Sequence, residues 1–309
     1  MQLEYRKIFK QAYEIVKNNK FLWIFGLFLV WGNLLNFSYV SQNQQSSSSL
    51  PVPTDLIIFK NHPFLGNFIL LLILFLVFQL ILLFFRARAA NIIAVKAILE
   101  KQETSFIKAL RVGGLFNLRL LGVTVLMQIL LLVLAFLIVS PIFYLFSLKF
   151  FIRAIILSIL GLIIFIPVSI VTTLINFLSP MFVTMYDFKI GEAIKRSFEL
   201  ISQSWPTLLV FSFLLLCLMI LSVILSLLLA GLAVSPFVLL AYLAYHRGGS
   251  TVGLGLTIFS IVFGSIVFFV TQAVVAVFQQ TAWILAFLQL IKPQIFEQEE
   301  VLPAPEIVS

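Results

Sequence analysis

Charge is scarce in this sequence. Asp, Glu, Lys and Arg together make up 10% of its 309 residues, against roughly a quarter in an ordinary soluble domain. A water-soluble globule is excluded, because with 62% of residues apolar its surface would expose patches far beyond what soluble monomers tolerate. A bilayer must supply the missing solvent. The single cysteine, Cys217, rules out an internal disulfide, and the two histidines, His62 and His246, are too few and too far apart in sequence for a His-rich metal site. No cofactor is implied. A last absence is more informative: six long stretches contain no Asp, Glu, Lys, Arg or His at all.

Those stretches are residues 21–40, 64–85, 120–146, 154–178, 206–229 and 252–276, and each is long enough to cross the hydrocarbon core as a helix. The expected fold is all-α, a polytopic transmembrane bundle of about six spans. The apolar runs 206–245 and 252–291 are each about twice the length that one span needs. Gly231, Ser235 and Pro236 are expected to break the first of them.

With six spans both termini share a side, and 16 of the 20 basic residues fall there. These run from Arg6 to Lys20 and from Arg86 to Arg119, followed by Lys189, Lys195, Arg196 and Lys292. Only Lys60, Lys149, Arg153 and Arg247 lie opposite, and of the acidic residues only Asp55 does. The positive-inside rule makes the shared side cytoplasmic, which implies a multi-pass protein of the inner membrane. The net charge of +8 follows span ends rather than forming a basic domain with stacking aromatics, so no nucleic-acid partner is expected. The charged leader has helical periodicity and no cleavage pattern follows it, so it reads as retained. The polar loop 41–63 reads as mobile, and the sequon Asn36-Phe37-Ser38 abuts the membrane and reads as chance. The tail 293–309 is acidic, contains prolines and reads as disordered.

A recurrence organises the rest. Residues 8–19, IFKQAYEIVKNN, align without gaps on 193–204, AIKRSFELISQS, pairing Lys10 with Lys195, Tyr13 with Phe198 and Glu14 with Glu199. A looser copy, SFIKALRVGGLFNLRLLG, starts at Ser105 and keeps the lysine without the acidic partner. Each copy leads into an apolar span. The expected unit is a cytoplasmic amphipathic helix followed by a transmembrane hairpin, used three times at about 1–90, 91–180 and 181–292 within one membrane domain, 1–292. In the first copy Ile8, Phe9, Ala12, Tyr13 and Val16 share a face opposite Arg6, Lys7, Lys10 and Lys17; in the last, Ala193, Ile194, Ser197 and Ile201 oppose Glu192, Lys195, Arg196 and Glu199.

Such helices lie in the headgroup layer or under the bundle, with Lys7, Lys10, Lys17, Lys195 and Arg196 as candidate contacts to anionic lipid. At about 1 kcal/mol per basic residue near an anionic surface, the first would be held by several kcal/mol. The plainer alternative is that they only cap the bundle and set its orientation.

The segment GEAIKRSFELISQSWPTLLVF, residues 191–211, resembles the helix-then-span signature of the glycerophosphodiester phosphodiesterase membrane-domain superfamily. Glu192, Ala193, Lys195, Arg196, Ser197, Glu199 and Trp205 carry the likeness, and the hydropathy pattern extends it over most of residues 1–292. The resemblance implies a six-span bacterial membrane module. It does not imply the hydrolase, whose activity belongs to a separate soluble barrel for which this chain has no room.

Catalysis needs titratable or nucleophilic groups held together, and the spans offer only neutral polar residues: Gln79, Gln128, Asn176, Gln272, Gln279 and Gln280, with scattered Ser and Thr. Such groups usually bond neighbouring helices. Gln272, Gln279 and Gln280 share one helical face and are the candidates for a polar substrate path. No intramembrane carboxylate or histidine is present for proton coupling. Ser222, Ser226 and Ala230 offer a close-packing face, Gly113-Gly114 and Gly248-Gly249 read as turns, and the four tryptophans, Trp23, Trp31, Trp205 and Trp283, sit near span ends. The four serines at 47–50 match no hydrolase elbow. The expectation is a non-catalytic membrane module that organises lipid or binds a partner. Transport or flipping of an apolar or lipidic substrate is the second reading, and lipid modification, for which metal ligands and a base are lacking, the third.

Overall fold

The computed structural model of the protein describes residues 3–37, 63–247 and 249–299. The loop 41–62, the end of the sequon and residues 300–309 lie outside them. Among the described residues the regular structure is all helical: α1 Tyr5–Asn18, α2 Leu22–Phe37, α3 Pro63–Leu99, α4 Phe106–Gly113, a 3₁₀ turn Gly114–Phe116, α5 Asn117–Ser147, α6 Phe151–Tyr186, α7 Ile190–His246 and α8 Ser250–Glu299. Among the described residues five stretches are long and apolar enough to cross a membrane: Leu71–Leu99, Phe106–Ser147, Phe151–Tyr186, Ile190–His246 and Thr251–Ile291. The expected first span corresponds to α2, and its last residues, 38–40, fall outside the described chain. Past Pro293, where the tail was expected to begin, the backbone stays helical to Glu299.

The helices end where backbone chemistry requires. Lys101 and Lys149 adopt the left-handed conformation, with φ of 56° and 62°. The amide after each bonds back across the helix end, Gln102 to the Ala97 carbonyl at 2.9 Å and Phe150 to Leu145 at 3.1 Å, which satisfies carbonyls that have no partner in the helix. Asp187, at φ 57°, turns α6 into α7. Asn19 caps α1 through its side chain on the Ile15 carbonyl at 2.9 Å, and the Trp23 indole donates to Val16 at 3.0 Å.

The expected break at Gly231–Pro236 does not occur, since α7 runs through it to His246. Pro236 leaves the Leu232 carbonyl without a donor, and the Ser235 hydroxyl takes that carbonyl at 2.8 Å. Inside a bilayer, side chains that re-satisfy the freed group let a helix continue through proline. The break comes earlier, at Ser204, whose φ of −126° and ψ of 25° kink α7 two residues before Pro206. The part of α7 before the kink is the second copy of the recurring segment.

The core sits at one end of the bundle. Its buried residues come from α1, α2, the last turns of α3, α4, the start of α5, the end of α6, the first part of α7 and the end of α8. Basic residues border it. Arg86 donates to the Leu110 carbonyl at 2.8 Å, Arg88 to Asn176 at 2.6 Å and Lys96 to Met185 at 3.4 Å, while Arg119 pairs with Asp187. This is hereafter the basic end. A chain of rings ties its elements together: Phe9 of α1 stacks on Phe211, Phe211 meets Trp283 edge-on at 5.0 Å, and Trp283 stacks on Phe177 at 5.3 Å beneath Arg88. Trp283, near the end of the apolar stretch Thr251–Ile291, is therefore 4% exposed and in the core.

Away from the basic end, α5–α6 and α7–α8 run out as helical hairpins. The contiguous core takes no buried residue from 128–173 or 216–276, where the buried apolar side chains are the isolated Ala154, Ala241 and Ala273. Within the hairpins Gly161 lies against Ile138, Gly264 against Val234 and Gly253 against the Tyr245 ring. Their outer residues, such as Phe136, Phe143, Ile152 and Leu232, are exposed and suited to lipid.

Candidate functional site

The basic end holds the five candidate headgroup residues, and burial explains why they face outward. In α1, Ile8, Ala12, Ile15 and Val16 are buried, while Lys7, Lys10 and Lys17 are exposed. In α7, Ala193, Ser197, Leu200 and Ile201 are buried, and Lys195 and Arg196 are exposed. The aligned positions thus share a burial pattern, down to the exposed aromatics Tyr13 and Phe198 at 57% and 55%. Tyr13 is a correction, since its ring leaves the apolar face and Lys17 lies over it at 5.7 Å. In α4 the buried pair is Ala109 and Gly113. Its register places Arg111, rather than Lys108, where the other copies carry Lys10 and Lys195.

Two of the five cations have carboxylate partners. Lys7 pairs with Glu4 at 3.2 Å and Arg196 with Glu199 at 3.5 Å. Lys10, Lys17 and Lys195 have no ion pair among the described residues.

Lys195 differs from the others in what lies beside it. The first part of α7 crosses the α5–α6 hairpin and leaves an apolar groove of about 600 Å³, within the 300–1,000 Å³ range of small-molecule sites. Met127 and Leu130 of α5, Pro167 and Val171 of α6, and Ile194 and Phe198 of α7 form its walls, with Lys195 as the charged lining residue. Thr172 also lines it, but its hydroxyl already donates to the Val168 carbonyl at 2.8 Å. No sequence pattern marks this groove, because its walls are short stretches contributed by three successive helices.

Two of the three glutamines of the expected polar path bond neighbouring helices. Gln272 donates to the Ser226 hydroxyl at 2.9 Å and the Ser222 carbonyl at 3.3 Å, joining α8 to α7. Gln280 accepts from the Asn91 amide at 2.9 Å and donates to the Arg88 carbonyl at 3.1 Å, joining α8 to α3. Gln279, beside it, is half-buried. None of the three lines the groove. Asn91, fully buried, escapes a sequence scan because it lies beyond the charged residues that close its span. The signal was the small residues around it, Ala87, Ala90 and Ala94, all fully buried.

The fold and this end of the bundle define the class, a helical multi-pass membrane protein with cations gathered where its core is packed. Comparison of the chain with protein families, curated proteins and solved structures finds no match to any of them.

Proposed function

We propose that the protein is a non-catalytic inner-membrane module whose basic end meets the anionic cytoplasmic leaflet and organises lipid there. In this reading α2 is the sixth span, both termini are cytoplasmic, and α1, α4 and the first part of α7 are three copies of one lipid-facing helix, each followed by a hairpin. The observation that carries it is the shared burial register of α1 and α7. Each keeps one face in the core and turns cations outward, at the boundary between the packed end and the exposed apolar hairpins. A cation at that level sits at headgroup depth, where an anionic surface attracts it. The helix contacts made by Gln272 and Gln280 favour this reading over a polar transport path.

Photo-crosslinking groups placed at Lys10 and Lys17 in native membranes test it. The expected result is labelling of anionic phospholipid at both sites. Labelling of neither lipid nor protein would overturn the reading, and labelling of one discrete protein would replace lipid by a partner.

A further inference from the structure

We infer that the groove beneath the first part of α7 holds a single phospholipid, with an acyl chain against α5 and α6 and its anionic headgroup on Lys195. The inference rests on the reading above and names the bound species. The groove walls present almost nothing that hydrogen-bonds, since Thr172 is committed to its own helix. The body of the occupant is therefore apolar. At the rim stands one exposed cation, Lys195, with no ion pair among the described residues, next to an Arg196 that Glu199 already engages. Glu192, one turn before Lys195, is exposed and not part of the lining.

A soluble anion would gain nothing from the apolar walls, and a neutral apolar ligand would leave Lys195 unanswered. A chain with a negative head satisfies both. The position agrees with the chemistry, because the groove reaches the basic end: Ile175 in its wall neighbours the Asn176 carbonyl that receives Arg88. The kink at Ser204 allows the first part of α7 to cross the hairpin and form the groove instead of continuing the line of the span.

Native mass spectrometry of the full chain in mild detergent tests this, with palmitoyl-oleoyl phosphatidylglycerol and the matching phosphatidylcholine as probes. Wild type should retain a single phosphatidylglycerol. Lys195→Gln should lower the preference for phosphatidylglycerol about fivefold, the loss of one basic contact with an anionic group, while phosphatidylcholine binding stays unchanged. Val171→Trp should fill the groove and reduce both lipids alike. Leu130→Trp, at a position already 51% exposed, is the second filling variant should the first fold poorly. Undiminished retention in Leu130→Trp would overturn the inference, as would an unchanged headgroup preference in Lys195→Gln. If those results came with continued lipid labelling from Lys10 and Lys17, the broader reading would stand and only the groove assignment would fall.

Discussion

Pro180 has no amide hydrogen, so the Asn176 carbonyl one turn back lacks its intrahelical donor, and Arg88 of α3 supplies one at 2.6 Å. A residue that would weaken α6 alone thus becomes a joint between two helices. Replacing Arg88 by Leu should cost stability in detergent. The same change in a Pro180→Ala background should cost about 1 kcal/mol less, because the restored amide serves the carbonyl; chemical denaturation of the four proteins measures the difference. Asn91 and Gln280 form a second joint. Each alanine substitution should destabilise by about 1 kcal/mol, and the double mutant should lose less than the sum by about 0.6 kcal/mol, the usual coupling of such pairs in membranes. Gln280 could be read as a polar group awaiting a partner. Its partner Asn91, and the Arg88 that serves the Asn176 backbone carbonyl, sit in the same few turns of α3, a segment whose charges marked it as lying outside the membrane rather than at the centre of the packed end.

Helix contacts turn on small residues at a few crossings. A Cβ on Gly26 of α2 would strike the Ala273 carbonyl of α8 and lie 2.8 Å from the Val277 side chain. Gly26→Leu should therefore separate the two helices and lower the unfolding temperature in micelles by many degrees. Gly231→Ala is the contrasting case. It meets nothing within 4 Å, and removing a glycine from a helix interior should stabilise α7 by about 0.5–1 kcal/mol. Elements were the most legible level in the sequence. Runs without charge located every long helix, and periodicity set the buried face of α1 apart from its basic face, except at Tyr13. Proline was misleading at Pro236, since whether it breaks a helix depends on what donates to the carbonyl it orphans, and Ser235, adjacent in sequence, donates to Leu232 only once the helix has formed.

At the scale of the molecule, α7 and α8 raise a question of length. A helix through the apolar run 206–245 measures about 60 Å at 1.5 Å per residue, roughly twice the hydrocarbon thickness of about 30 Å. Tilt or local thickening relieves such a mismatch at a modest cost per ångström. Reconstitution in phosphatidylcholines of increasing acyl length should therefore raise the thermal stability, and a maximum at short chains would contradict a hairpin embedded along its length. Sidedness is tested separately. In a Cys217→Ala background, cysteines at Gln102 and Lys189 should react with an impermeant thiol reagent from one face of sealed vesicles, and those at Lys149 and Arg247 from the other. Mixed labelling would refute the proposed orientation.

The hydrophobic effect acts on composition without regard to partner, so the amino-acid sequence alone determined that this chain belongs in a bilayer, that it is helical, and that its cations gather between particular spans. Which helices meet was decided by tertiary structure. Inside hydrocarbon all apolar faces look alike, and the choice falls to close approach at Gly26, to orphaned carbonyls such as that of Asn176, and to the crossing of α7 over α5 and α6 that creates a groove no single segment encodes.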